Sequence, residues 1–183
     1  MLEVTFLQAG ILITALWIVY RIAAYTKPKD KKQELKMLLV WACIIVITRF
    51  VYFPLHLVDG HIGHLYFDSG LILPLKYNLR VFFARDYHYR GWAAEIIGNV
   101  ALFVPVGIIW PYCFEKLNRF WKVFLAGAGY SLLVELSQLL FFTRTTDIDD
   151  LLANTLGVIL GAALFFIIRK VRNDSGQKHQ QTV

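Results

Sequence analysis

Five stretches of this chain are each apolar for long enough to cross about 30 Å of hydrocarbon: Val4–Ala24, Met37–Val58, Trp92–Phe114, Phe120–Phe142 and Leu151–Ile168. Within lipid a backbone must satisfy its own hydrogen bonds, so such stretches can only be helices or strands of a closed barrel, and runs of this length are helices. Hydrophobic residues make up 57% of the 183 and charged residues only 17%, with a mean hydropathy of +0.53. A soluble core of this size does not need so much apolar surface. The expectation is an all-α integral membrane protein, multi-pass in the cell membrane, with five transmembrane helices. The first run does not read as a signal peptide, because Glu3 stands where a basic leader would be and the positive charge follows at Arg21 and Lys27.

Charge placement gives a topology. Arg21, Lys27, Lys29, Lys31, Lys32 and Lys36 follow the first run, Lys116, Arg119 and Lys122 join the third to the fourth, and Arg169, Lys170, Arg172 and Lys178 close the chain. These are thirteen of its nineteen basic residues. The alternate connections hold only Lys76, Arg80, Arg85, Arg90 and Arg144. Positive charge stays on the cytoplasmic side, which puts the N-terminus outside and the C-terminus in the cytoplasm. The formal charge of +6 is thus accounted for by topology, and no pattern asks for nucleic acid. Residues 1–36 read as a first helix with a basic cytoplasmic loop, 37–168 as the main membrane domain, and 169–183 as a polar, disordered cytoplasmic tail.

With that topology the intramembrane polar residues gather in the outer half. Arg49 lies within the second run, roughly 13 Å below its outer end, where a charge needs a partner or a watery cavity. Glu95 and Asn99 stand at i, i+4 near the start of the third run; Ser131, Glu135 and Gln138 at i, i+4, i+7 share one face of the fourth. Asp147, Asp150 and Asn154 form an i, i+3, i+7 stripe entering the fifth, which continues through Gly157 and Gly161 as a small-residue packing face. Gly127 and Gly129 suggest similar close packing of the fourth helix. A polar cleft open to the outside, with Arg49 as its floor, is the expected assembly.

Each group has a structural and a chemical reading. Glu135 either pairs with Arg49 as an ionised structural link or, left unpaired, serves as general acid or base, with Gln138 beside it. Asp147, Asp149 and Asp150, behind Arg144, suit helix capping at the start of the fifth helix. Together with Glu135 they also offer hard oxygen ligands to a divalent cation or cationic ligand, although no spacing matches a defined metal loop. Arg144 can pair with these acids or hold a phosphate. Pro105 frees the carbonyl of Ala101 in mid-helix, and Asn99 is near enough to cap that break; Pro54 kinks the second helix similarly.

The same residues carry a resemblance. NVALFVPVG at Asn99–Gly107, SLLVELSQ at Ser131–Gln138 and RTTDIDDLLANTLGVILG at Arg144–Gly161 resemble the VanZ-like family of small bacterial membrane proteins. ILPL at Ile72–Leu75 resembles its upstream proline-containing segment, with Ile72 and Leu75 where the family usually has Asn and Phe. The pattern covers roughly half the chain and carries over onto Asn99, Pro105, Gly107, Glu135, Gln138, Arg144, Asp147, Asp150, Asn154 and Gly157. The family takes its name from a protein giving low-level resistance to the glycopeptide teicoplanin, and some relatives are linked to lipoglycopeptides. The resemblance therefore implies a Gram-positive cell-envelope role in glycopeptide resistance, with no established reaction attached.

The long outer connection, Asp59–Gly91, mixes apolar, aromatic and basic residues. Leu75, Leu79 and Phe82 lie on one helical face with Lys76 and Arg80 off it, which suits a helix in the outer interface; an aromatic belt explains Tyr66, Phe67, Tyr77, Tyr87 and Tyr89 equally well. His56, His61 and His64 lack the companions of a zinc site, and Cys43 and Cys113 sit in separate helices with no disulfide expected. No cofactor signature or internal repeat is present. Three readings remain: a protein that binds or shields a membrane lipid or lipid-linked cell-wall precursor through the cleft; an intramembrane enzyme on a lipid-linked phosphate or sugar, with Glu135 as base and Arg49 or Arg144 holding the anion; and a small lipid transporter. No residue stands out as a nucleophile.

Overall fold

The computed structural model describes residues 2–23, 30–53, 57–58, 60–67, 77–78, 91–141 and 144–180, with side chains described for all but 57–58 and 176–180. Its helices are α1 (Phe6–Ala23), α2 (Lys31–Tyr52), α3 (Trp92–Cys113), α4 (Phe120–Gln138) and α5 (Ile148–Gln180). Short strands β1 (Leu2–Val4), β2 (Leu57–Val58), β3 (His61–Ile62), β4 (Leu65–Phe67), β5 (Tyr77–Asn78) and β6 (Thr146–Asp147) lie at one end of the bundle. They pair as β1–β4 and β2–β3, both antiparallel, and β5–β6, parallel. This end also holds the C-termini of α2 and α4 and the N-termini of α3 and α5. The opposite, basic end holds Lys36, Lys116, Arg119 and Lys122.

Four of the helices, α1, α2, α3 and the Ile148–Ser175 part of α5, are long and apolar enough to cross a membrane. The chain is a multi-pass membrane protein. α4 is the exception among the five expected spans, because Lys122, Ser131, Glu135, Ser137 and Gln138 dilute its apolar content. Its sequence is instead that of a helix with one polar face turned inward: Ser131, Glu135 and Gln138 are buried with Val123, Gly127 and Val134. Large apolar side chains such as Leu7, Ile22, Ile97, Leu133 and Ile167 face outward, as lipid-facing residues do.

α1 begins with a capping box. The Thr5 hydroxyl accepts from the Gln8 amide at 3.2 Å, and the Gln8 side chain accepts from the Thr5 amide at 2.8 Å. None of its residues is buried. Strand β1 ties it to β4, where Glu3 bonds His64 and receives the Tyr66 hydroxyl at 3.2 Å. These bonds, that of His64 first, hold the Glu3 carboxyl below its ordinary range.

α2 stops at Tyr52, earlier than the apolar run to Val58 suggests, with Phe53 extended at φ −106° and ψ 141°. The residue before a proline avoids the helical region, and Pro54 follows. Pro54 itself and the expected interfacial helix around Leu75, Lys76, Leu79, Arg80 and Phe82 lie outside the described residues. At the other terminus, the tail expected to be disordered from Arg169 instead continues α5 to Gln180, as its proline-free, lysine- and arginine-rich sequence permits.

The bundle is held most closely between α3 and α5. A methyl group on Gly157 would fall 2.2 Å from the Val100 carbonyl oxygen, one on Gly161 2.1 Å from that of Val104, and one on Gly107 2.3 Å from that of Val158. The two backbones touch through these glycines, as small-residue faces allow in lipid. Val158 in turn fills the space over Gly127 of α4. Gly129, expected to pack likewise, meets nothing within 4 Å. The core around this contact is Cys43, Ile47, Phe103, Val106, Val123, Val158 and Ala162. A smaller cluster of Met37, Val40 and Cys113 closes the basic end.

Gly157→Ala and Gly161→Ala should each destabilise the bundle by about 1–3 kcal/mol through overpacking against backbone. Gly129→Ala, with nothing to clash against, should not destabilise it and should gain up to about 1 kcal/mol from helix propensity. Thermal unfolding of the purified variants in detergent checks both expectations.

The polar end of the helix bundle as the candidate functional site

The polar face of α4 and the stripe of α5 meet at the end opposite the basic connections. Glu135 is 2% exposed, Gln138 4%, Asn154 1% and Ser131 0%, so four polar side chains predicted from spacing lie together in the protein interior. Their register follows from the packing: with Val158 over Gly127, the antiparallel run of α5 brings Asn154 level with Ser131 and the α4–α5 link level with Glu135. The link closes on α4 by two hydrogen bonds. The Thr146 hydroxyl donates to the Glu135 carbonyl at 2.6 Å, and the Asp147 amide donates to Glu135 Oε2 at 3.1 Å.

The acids at the start of α5 take separate roles. Asp147 is the helix cap: its Oδ1 accepts from the Asp149 amide at 2.9 Å, while Oδ2 accepts from the Asn78 side chain at 2.8 Å. Asp150 is reached from α3, where Asn99 Nδ2 donates to its Oδ1 at 2.6 Å. Asn99 was open to two readings, a cap for the backbone freed by Pro105 or a member of the polar cleft; its amide bridges α3 and α5 beside the buried polar residues. Among the described residues no three Asp, Glu, His or Cys side chains are grouped to hold a metal ion, so of the two readings of these acids the structure shows the capping one at Asp147 and not the alternative divalent arrangement of Asp147, Asp149, Asp150 and Glu135. Glu95 stands exposed in the first turn of α3, near enough to Asp150 and Arg144 to act on them through space.

Arg49 departs most from expectation. Because α2 ends early, it sits in the last turn of the helix, where a cation complements the helix dipole. Its Nη1 makes a long 3.4 Å contact to the Phe53 carbonyl, and the guanidinium lies 5.6 Å from the centroid of the Phe50 ring. Ion pairs among the described residues join Arg21 to Glu34 and Glu3 to His64; an Arg49–Glu135 pair is not among them.

A function of Arg144 and Gln138 escaped sequence reasoning. Arg144 Nε donates to the Tyr52 carbonyl at 2.7 Å, and Gln138 Nε2 donates to the Val51 carbonyl at 3.3 Å. With Arg49 on Phe53, three successive carbonyls at the end of α2 receive side-chain donors. The last carbonyls of any helix lack intrahelical partners, and in lipid no water replaces them. The Tyr52 hydroxyl adds a bond to Ser137. The only sequence signal was a basic residue and an amide placed opposite the expected helix end. Burial pulls the Arg144 guanidinium below its ordinary value, against the opposing pull of Asp150 and Glu95.

Four buried oxygens are left over. Glu135 Oε1, Gln138 Oε1, Asn154 Oδ1 and Ser131 Oγ have no hydrogen-bond partner among the described residues. The arrangement is therefore an acceptor-rich interior closed at its mouth by a capped turn. A cavity of about 1140 Å³ lies at the basic end, between α1, α2 and α3, walled by Trp17, Met37, Val40, Ile44 and Trp110. Its rim mixes Arg21, Lys32, Lys36 and Lys116 with Asp30, Glu34 and Glu115, so it selects no charge, and it lies far from the converging polar residues.

Arg144→Met should cost about 1.5–3 kcal/mol by removing a charged donor from the Tyr52 carbonyl. Thr145→Ala, at an exposed neighbour, should cost nothing measurable. Unfolding midpoints in detergent compare the two.

A family model described as VanZ/LLP1 matches residues 36–169. The chain is similar to Protein VanZ of Enterococcus faecium, with 31% identity over 113 residues, taking in 56% of this chain and 68% of the relative. No solved structure gives a significant match.

Proposed function

Because the chain belongs to the VanZ/LLP1 family, we propose that it contributes to low-level resistance to teicoplanin or related lipoglycopeptides, by engaging a lipid-linked component of the cell envelope at the polar end of its bundle. The observation that carries this reading is the segregation of the molecule. Buried Ser131, Glu135, Gln138 and Asn154, with Asn99, Asp147 and Asp150 around them, gather at one end, and the basic connections gather at the other. With basic residues retained in the cytoplasm, five membrane passages result, α4 included, with the N-terminus outside. The polar end then faces the side from which a glycopeptide too large to cross the bilayer meets the wall precursors. The basic and aromatic residues between β4 and α3 suit an interfacial helix that contacts headgroups beside this opening.

The binding reading is favoured over an enzymatic one by what surrounds Glu135. One of its oxygens is engaged by a backbone amide of the link, and Arg144 is committed to a helix end. Among the described residues no hydroxyl or thiol is hydrogen-bonded to the Glu135 carboxyl. The enzyme alternative keeps Glu135 as acid or base, Gln138 beside it and Arg49 or Arg144 on an anionic substrate.

Teicoplanin susceptibility in a sensitive Gram-positive host tests the proposal, with membrane levels measured in parallel. Wild-type chain should raise the inhibitory concentration. Glu135→Gln, Asp150→Asn and Arg49→Met, present at wild-type levels, should return it to that of the empty host. Protection by all three variants equal to wild type would dismiss the polar end as the acting site. Absence of protection by wild type would dismiss the resistance role.

A further inference from the structure

The four unpartnered oxygens on α4 and α5 call for donors that the described residues do not supply. A buried acceptor without a hydrogen bond is costly, and native interiors leave few of them, usually where a water, an ion or a ligand completes the set. Here the orphans form a column along one helix face: Ser131, Glu135 and Gln138 span about 10 Å of α4 with Glu135 in the middle, and Asn154 stands across from Ser131 on α5. All four are oxygens. The nearby cations point elsewhere, Arg144 to the Tyr52 carbonyl and Arg49 to that of Phe53. The charged neighbours that act on Glu135 are Asp150 and Asp147, so the local field is negative.

We propose that this column is an occluded site for one compact monovalent cation, an alkali ion or a primary ammonium group, held at Glu135 Oε1, with the neutral oxygens of Asn154, Ser131 and Gln138 lining the column around it. A single carboxyl with amide and hydroxyl oxygens matches a charge of +1, whereas a divalent ion wants more carboxylates than are grouped here. Either form of the cation fills the same need, the ion by direct oxygen coordination and the ammonium by three N–H donors. The ligand would reach the column past the α4–α5 link, whose Asp147 amide already holds the other Glu135 oxygen. The site stands on the unpartnered oxygens alone and does not depend on the resistance reading.

The test uses the purified full chain in detergent. Unfolding midpoints are measured at constant ionic strength in the chlorides of sodium, potassium, ammonium, ethanolammonium and choline. One or more of the compact cations should raise the midpoint saturably relative to choline, which is too bulky to enter. Sodium or potassium acting alone assigns an alkali ion; ammonium and ethanolammonium acting together assign an amine ligand. Glu135→Gln and Asn154→Ala should each abolish the dependence, and Asn118→Ala at the basic end should retain it. Equal midpoints in all five salts for wild type, or a cation effect that survives in Glu135→Gln, would overturn the proposal and leave bridging water as the completion of the set. Should Glu135→Gln fail to fold, Ser131→Ala and Asn154→Ala carry the same comparison.

Discussion

The backbone contact between α3 and α5 is the constraint on which the rest depends. Lipid gives helices little hydrophobic reason to associate, so close packing must supply the attraction, and only residues without side chains let two backbones approach this far. Gly107, Gly157 and Gly161 fix both the depth and the rotation of α5 against α3. Rotation decides which stripe of α5 faces inward: Asp150 meets Asn99, Asn154 enters the core, and Val158 enters the gap over Gly127. α4 is then held with its polar face toward α5, and Glu135 is buried, 2% exposed.

That placement carries an energetic tension. Polar groups taken out of water are stable only when paired, and the bundle pairs some fully and others only in part. The end of α2 is well provided, through donors from α2 itself, α4 and the link. The α4 column is not. A chain selected only for stability would place apolar side chains at Ser131, Glu135 and Asn154, because an unsatisfied interior is worse than an apolar one. Their presence at this position is what separates a candidate site from a structural network.

Much of this was legible in the sequence, and the failures have physical causes. The helices follow from apolar length, and the burial of Ser131, Glu135 and Gln138 together follows from their spacing on one helix face. Asp147 as a helix cap and the glycines of α5 as a packing face follow from local chemistry. The end of α2 was misplaced because hydropathy continues to Val58, while the conformational restriction imposed by Pro54 acts one residue earlier. That error put Arg49 deep in the bundle and suggested a pairing with Glu135 that does not form. The partners of Arg144 and Gln138 are backbone carbonyls more than eighty residues away, and no residue type advertises a carbonyl. Phe120–Phe142 was read as a span from its run of apolar residues, but the polar inward face of α4 lowers its hydropathy, and it is not among the four described helices apolar enough to cross a membrane.

The three-carbonyl clasp at the end of α2 has a mechanical consequence. In hydrocarbon, a helix end that lets go of its donors finds no water to take their place, so the clasp cannot loosen one strand at a time. α2, α4 and the link are therefore locked into a single stiff body at the polar end. Among the described residues the other end has no such clasp: α1 buries nothing and meets α2 through the exposed Arg21–Glu34 pair and, midway along both helices, the Trp41–Thr14 hydrogen bond.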